Sequence, residues 1–455
     1  MTRVLVYGLG IAGTSVARAL ASRGNEVVLA DDQLSHQHEL LGKELGAEIF
    51  PAGDLGALAA LVKSVDSVMP APGVPETHPL FAISIDAQKE MLSEIELAYR
   101  WEQSRHGGPR PILAVTGTDG KTTTTLMAAA MIRASGKRVA AVGNTETPFI
   151  DALDSDADAF VVECSSFRLT LTSTFRANAA TWLNIAPDHL DWHRDFSSYV
   201  AAKAKIWAHM QPEDAVVAPS AHKDICAVAQ RSSGRFISFG DSAESNYFVA
   251  GNELIGPQGL LLATDKMKRS LPHDIQNGLA AAAMCLESGV GTQAGVVHTL
   301  QEFEPSHHRI ELVTSKNGVR WFDDSKATSP HAARTALRAF PRLVLIAGGR
   351  NKGLNLAELA LEHEHVKAVV CIGESAQEIA AAFAGLCPTA IATSMQEAIE
   401  IAGSFVSPNE VVLLSPACTS FDWYKNYEER GCDFATRVKM YLGQEGLLHE
   451  GEERQ

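Results

Sequence analysis

The stretch "TGTDGKT", residues 116 to 122, concentrates the groups that handle phosphate. It follows the apolar run "ILAV" and leads into "TTTLMAAAMIRASG", which has helical rhythm. Backbone amides from Gly117 through Thr118, Asp119, Gly120 and Lys121 to Thr122 can wrap a phosphate at a helix start. The Lys121 ammonium can neutralise β- and γ-phosphate oxygens, and the Thr122 hydroxyl can ligate magnesium. The run departs from G-x-x-x-x-G-K-[ST], because Val115 stands five before Gly120. A nucleoside triphosphate is the expected ligand, and a purely structural turn is the alternative.

A second glycine loop lies far upstream. "GLGIAG" places Gly8, Gly10 and Gly13 between a strand pattern and a helix pattern, with Asp31 and Asp32 eighteen and nineteen residues after Gly13. That is dinucleotide-binding spacing, with helix amides facing a pyrophosphate and an acid meeting a ribose. NAD or FAD, another nucleotide, and a tight strand-to-helix turn all remain open on these residues alone.

Downstream of the phosphate loop, "AFVVECSSF" ends its apolar run in Glu163. An acid at the carboxyl end of a strand, in a sheet that also carries a phosphate loop, suits a second magnesium anchor; a solvated strand-end Glu is the alternative. "PDHLDWH" packs Asp188, His189, Asp191 and His193 together. The cluster could bind metal through His189 or position a phosphoryl group, or be turn-forming Asp with surface His. Lys203 and Lys205 in "YVAAKAKIWAHM" read by themselves as solvated lysines.

These residues need strands and helices to hold them. The 455 residues are too many for one ordinary core. Strand and helix patterns alternate throughout, which implies three α/β units with parallel sheets covered on both faces. We expect boundaries at 1–108, 109–304 and 305–455, with "HGGPRP", residues 106 to 111, as a linker. The composition is 46% hydrophobic and 20% charged, and a net charge of -15 argues against nucleic acid as a partner. Seven scattered cysteines without a CxxC pair argue against a disulfide framework or structural zinc. Neither a secretory signal nor a run of eighteen apolar residues is present, so a cytoplasmic protein away from membranes is expected.

Taken together, "TGTDGKT", "VVECSSFRL", "PDHLDWH", "YVAAKAKI", "HHRIE", "DDSKATS", "AGGRNKG" and "SPACTSFDWYKNYEERG" resemble, in order along essentially the whole chain, the Mur ligase family. "DSKATS" and the C-terminal run are most similar to the family member that adds D-glutamate to UDP-N-acetylmuramoyl-L-alanine in peptidoglycan synthesis. The resemblance implies a Rossmann-like N-terminal domain for the UDP substrate, a central P-loop ATPase domain, and a Rossmann-like C-terminal domain for the amino acid. It implies a monomer that uses ATP and magnesium at two sites, through an acyl-phosphate intermediate.

By position in those motifs, Gly117 to Thr123 would serve ATP, with Lys121, His189 and Lys203 catalytic. Thr122, Glu163, His189 and a carbamylated Lys203 would hold magnesium. Asn277 would meet adenine, Arg309 phosphate, and Asp324 and Lys326 the ribose and the closed site. The UDP substrate would take Gly8, Gly10, Ile11, Ala12, Asp31, Asp32, Gly73 and Asn144. Glutamate would meet Thr328, Lys352, Ser420, Phe421 and Tyr427, with Lys352 supplying the cation that a double carboxylate requires.

The chain departs from the family pattern at Asp274, where Asn is usual, at Arg168 for Gln, at Ala71 for Ser, and in "GNTETP". Competing readings are a sibling ligase adding L-glutamate or another amino acid, an NAD-dependent oxidoreductase, and a regulatory ATPase with no ligated product.

Overall fold

The structure is a computed structural model, and residues 2–145 and 147–443 are described. Glu146 of the "GNTETP" departure therefore lies outside the described residues. The chain forms two compact units, one of residues 1–270 and 274–303, the other of residues 271–273 and 304–455.

The first unit holds two sheets. One consists of β1 (Arg3–Tyr7), β2 (Glu26–Asp31), β3 (Glu48–Pro51), β4 (Ser67–Pro70) and β5 (Glu90–Met91), all parallel, in the order β3-β2-β1-β4-β5. The other comprises β6 (Ile112–Thr116), β7 (Val139–Gly143), β8 (Ala159–Glu163), β9 (Ala179–Trp182), β10 (Ala215–Pro219), β11 (Arg235–Gly240), β12 (Tyr247–Ala250), β13 (Glu253–Gly256) and β14 (Gly259–Ala263). Its order is β14-β13-β12-β11-β10-β9-β6-β8-β7. Every residue of β6 and β8 is buried, as expected of central parallel strands covered on both faces. The pairings β12/β13 and β13/β14 are antiparallel. An all-parallel expectation misses this meander, which turns at Gly251 and again just before Gly259, both at positive φ.

The "HGGPRP" connection is pinned. The buried Arg110 guanidinium grips Glu102 (Nη2–Oε2 2.7 Å), donates to the carbonyls of Leu153 and Ser155, and lies 4.4 Å above the Phe160 ring. Glu96 adds a second bolt. Its buried carboxylate accepts the backbone amides of Ser173, Thr174 and Phe175. The two sheets are thus held as one body.

The second unit carries β15 (Glu311–Lys316), β16 (Val319–Asp323), β17 (Leu343–Gly348), β18 (Val366–Ile372), β19 (Thr389–Ile391) and β20 (Val411–Leu414), in the order β15-β16-β20-β17-β18-β19. Only the β15/β16 pairing is antiparallel among these described strands. β17 is buried throughout and runs down the centre.

Candidate active site

The phosphate loop bridges β6 and the helix Lys121–Ala134. Gly120 caps that helix in the left-handed region, φ +79°, and a Cβ there would lie 2.6 Å from Asn277 Oδ1. Glycine is required on both counts. Asn184, after β9, clamps the loop: its Oδ1 accepts the amides of Thr118 and Asp119, each at 2.9 Å. The sequence reading missed Asn184, although it lies just before the "PDHLDWH" run.

Two lysines converge on one carbonyl. Lys121 Nζ donates to Gly117 O (3.0 Å) and Thr118 O (2.8 Å), and Lys203 Nζ donates to Gly117 O (2.6 Å). Lys203 is fully buried, and burial together with the Lys121 charge holds its amine well below the usual lysine range. Lys205 is a different case: its ammonium caps the carbonyls of Thr170 and Thr172.

Glu163 closes β8 beside this loop and is 1% exposed. Its Oε1 accepts from Asn144 Nδ2 (3.0 Å), while Oε2 is buried with no hydrogen-bond partner among the described residues. A buried carboxylate oxygen left in that state is costly unless a cation completes it. The donor set here, an acid with the Thr122 hydroxyl in the same loop region, is hard oxygen and fits magnesium.

Asn144 belongs to a longer relay. Arg168 Nη1 donates to Asn144 Oδ1 (2.7 Å), and Arg168 Nε faces Glu94 Oε2 at 3.4 Å. Arg168, where the family pattern has Gln, thus places a buried cation behind the Asn144–Glu163 pair. Asp274, the other departure near the loop, is held by both arms of Arg269 (2.7 and 2.6 Å).

Of the two histidines in the "PDHLDWH" loop, His189 adopts φ +55°, edges onto Phe167 and sits 3.4 Å from Asp188 Oδ2. His193 turns into the core against Ser166 Oγ (2.9 Å) and Glu76, and its burial lowers its pKa. Trp192 Nε1 donates to Pro72 O (2.8 Å), fastening this loop to the first sheet.

On the first sheet, a cleft of about 350 Å³ opens at the glycine loop. Gly8, Gly10, Ile11, Ala12, Asp31, Asp32 and Gly73 all line it, and Ile11 offers a side chain that is 78% exposed. Asp31 is engaged with backbone: it accepts from Leu9 N (2.7 Å) and Gln33 N (2.9 Å) and so braces the loop. Asp32 accepts from Tyr7 OH (2.6 Å). Gly8, at φ +87°, lies on Ala71, whose Cβ would be 2.9 Å from an added one. Asn144 is apart from this cleft, at Glu163.

In the second unit, three loops leave the carboxyl ends of the adjacent strands β16, β20 and β17, where ligands gather in open α/β sheets. They carry Asp324, Lys326 and Thr328; Ser420, Phe421 and Tyr427; and Lys352. Arg350 and Thr419 exchange backbone hydrogen bonds at 3.0 Å, which joins the Lys352 loop to the Ser420 loop. Lys326 Nζ donates to Tyr427 OH (2.7 Å). Asp324 is fully buried, accepts from Ser415 Oγ (2.7 Å), and is pushed up to about 7 chiefly by desolvation. Arg309 is among the charges acting on it.

Arg430, which the sequence reading passed over, is buried and donates to Ser325 Oγ (2.9 Å), Ser325 O (2.7 Å) and Cys418 O (3.2 Å). It ties two of the three loops together, and its only signal was its place in "NYEERG".

Comparison with known proteins accords with this geometry. Residues 115–285 match the Mur ligase middle domain, and residues 308–418 match the Mur ligase, glutamate ligase domain. The UDP-N-acetylmuramoylalanine–D-glutamate ligase of Frankia casuarinae is 40% identical over 97% of this chain and 94% of its own. That of Thermobifida fusca is 35% identical over 97% and 99%. Among solved structures, the fold is similar to UDP-N-acetylmuramate-alanine ligase from Thermotoga maritima, with TM-score 0.58, 20% identity, and coverage of 97% of this chain and 100% of that one. It is also similar to the MurF ligase of Thermotoga maritima in complex with ADP, with TM-score 0.58, 15% identity, and coverage of 97% and 94%. With phosphate loop, buried acid and strand-end loops in place and relatives matching over nearly its whole length, the chain belongs to the Mur ligase family, among the UDP-N-acetylmuramoylalanine–D-glutamate ligases.

Proposed function

We propose that this chain joins D-glutamate to UDP-N-acetylmuramoyl-L-alanine at the expense of ATP, in peptidoglycan synthesis. The observation that carries the reading is Glu163: a buried acid with one oxygen that has no hydrogen-bond partner among the described residues, at the end of a strand next to the phosphate loop, in the same compact unit as the glycine-loop cleft.

The cleft takes the UDP end of the sugar nucleotide, and the amides at Gly8 to Ala12 face its diphosphate. The terminal carboxylate of the alanyl group reaches Asn144. ATP lies on Gly117 to Thr123, with Asn277 beside the adenine; in the second unit, Arg309, Asp324 and Lys326 are the residues that the motifs assign to ATP. A carboxylate is a poor electrophile. One of its oxygens attacks the γ-phosphorus, ADP leaves, and a mixed anhydride results. The amine of glutamate, held by Thr328, Lys352, Ser420, Phe421 and Tyr427, then attacks the acyl carbon, loses a proton, and expels phosphate. Lys121 neutralises the oxygens that gain charge, and His189 would serve as a metal ligand.

Thr122, Glu163, His189 and a carbamylated Lys203 would hold magnesium, which would supply charge neutralisation at the phosphoryl oxygens. Lys203 suits carbamylation because burial, with the Lys121 charge, lowers the pKa of its amine and so favours the neutral form, the form to which CO2 adds. The enzyme acts as a cytoplasmic monomer; no described helix is long and apolar enough to cross a membrane.

The test offers D-glutamate, L-glutamate, L-lysine and meso-diaminopimelate in parallel with UDP-N-acetylmuramoyl-L-alanine and ATP. Phosphate release and a ligated product with D-glutamate alone are expected. A product with another amino acid, or phosphate release that ignores the sugar nucleotide, would overturn the reading.

A further inference from the structure

A side-chain cluster in the second unit is left unused by the ligation chemistry. His308 adopts a left-handed backbone, φ +63°, and its Nδ1 lies 2.6 Å from the buried Asp323 Oδ2. The Asp323 hydrogen bond raises the pKa of the ring; in the neutral ring it selects the tautomer that donates Nδ1–H to the carboxylate and directs the Nε2 lone pair away, the arrangement seen behind metal-ligating histidines. Nε2 meets the Cys432 sulfur at 3.9 Å. A tetrahedral zinc ion with its usual Zn–N and Zn–S bonds would set these atoms about 3.6 Å apart, a few tenths of an ångström from where they stand.

The rest of the cluster is acidic. Cys432 lies on the helix Tyr427–Tyr441, one turn after Glu428, so the two side chains share a face. Glu428 and Glu311 are among the charges acting on both the His308 ring and the Cys432 thiol. The ligand atoms of His308, Glu311 and Asp323 lie within 4.8 Å of one another. Gly431 makes the assembly fit: a Cβ there would overlap His308 Nδ1 and lie 2.6 Å from Asp323 Oδ2. A glycine lets the helix backbone close on the His–Asp pair, which brings the next residue, Cys432, beside the ring. Of the seven cysteines, Cys432 is the exposed one.

We propose that His308 Nε2 and the Cys432 thiolate, with Glu428 as carboxylate ligand and Asp323 behind the imidazole, form a binding site for a thiophilic divalent cation of the zinc class. Binding releases the thiol proton. Because His308 adjoins Arg309 and Asp323 adjoins Asp324, the bound cation fixes the loops assigned to ATP and inhibits ligation; this second clause rests on the proposed function.

The test titrates the full-length chain, freed of metal by a chelator, with Co2+ alone and records the near-ultraviolet thiolate-to-cobalt charge-transfer band. One equivalent should produce the band, Zn2+ should bleach it, Cys432→Ser should abolish it, and Glu428→Gln should weaken Co2+ affinity about tenfold, the loss typical of a weakened ligand set. Cys432 is exposed, so the serine variant folds. No band at saturating Co2+, or an equal band in Cys432→Ser, overturns the site. In a parallel assay Zn2+ should slow ADP formation by the unsubstituted chain and spare Cys432→Ser. Equal inhibition of both overturns the inhibitory clause, whereas a chain that makes no ligated product but keeps the band refutes the proposed function and leaves the site standing.

Discussion

At Glu163 stability and activity pull in opposite directions. One carboxylate oxygen is buried without a hydrogen-bond partner among the described residues, so Glu163→Gln removes a desolvated charge while keeping the shape. The variant should melt no lower than the unsubstituted chain, yet kcat should fall by roughly 10²- to 10³-fold, as when one charge-stabilising group is lost; calorimetry and steady-state kinetics on one preparation check both. Asp324 gives a pH signature. Its folded pKa is raised to about 7 by burial, so the folded state holds a proton that the unfolded chain has released above the ordinary carboxylate value. Its contribution is present below that value and is lost as pH rises through about 7. Asp324→Asn should therefore raise the melting temperature at pH 8 by several degrees and change it little at pH 4. At Lys203, a carbonyl resonance from ¹³C-labelled bicarbonate should appear in the unsubstituted chain and be missing in Lys203→Ala.

At the scale of elements, the Glu94–Arg168–Asn144–Glu163 relay joins the helix Glu94–Gln103 to the carboxyl ends of β7 and β8. Breaking it at Arg168 frees Asn144 and leaves Glu94 without its cation. Arg168→Met should cost about 3 kcal/mol, the scale of a broken buried pair, and lower kcat about tenfold. Arg168→Gln, which can still reach Asn144, should keep more of the activity than the methionine variant. Equal kinetics for the two would sink the positioning role. The relay was not legible in the sequence, where Arg168 was only a departure from a pattern, because its partners are 74 and 24 residues away in the chain. The phosphate loop itself was legible, since Gly120, Lys121 and Thr122 act through backbone geometry that seven consecutive residues dictate.

At the scale of the molecule, the two units have separate cores. Calorimetry should resolve two transitions, with a calorimetric enthalpy larger than the van't Hoff enthalpy. UDP-N-acetylmuramoyl-L-alanine at about 100 times its Kd should stabilise only the transition of the first unit, by about 2.7 kcal/mol. One cooperative transition that shifts as a whole would contradict this. Three sheets form, in keeping with the alternating strand and helix rhythm, and the first two are locked together by Arg110 and Glu96. A glycine- and proline-rich stretch signals a break in secondary structure; it carries no information about whether a buried guanidinium will seal the break.

By itself the sequence determined what depends on residue type at short range: both glycine loops, alternating strands and helices, an acid at a strand end, and an ordered set of motifs that names the family. Only the tertiary structure decided which of these groups meet. It sent Lys203 into the core and Lys205 to a loop's carbonyls, gave Asp31 to the backbone of the glycine loop, and set Arg430 between two loops. Burial and partnership depend on residues distant along the chain, and it is these that set the charge, the basicity and the unmet valence on which chemistry runs.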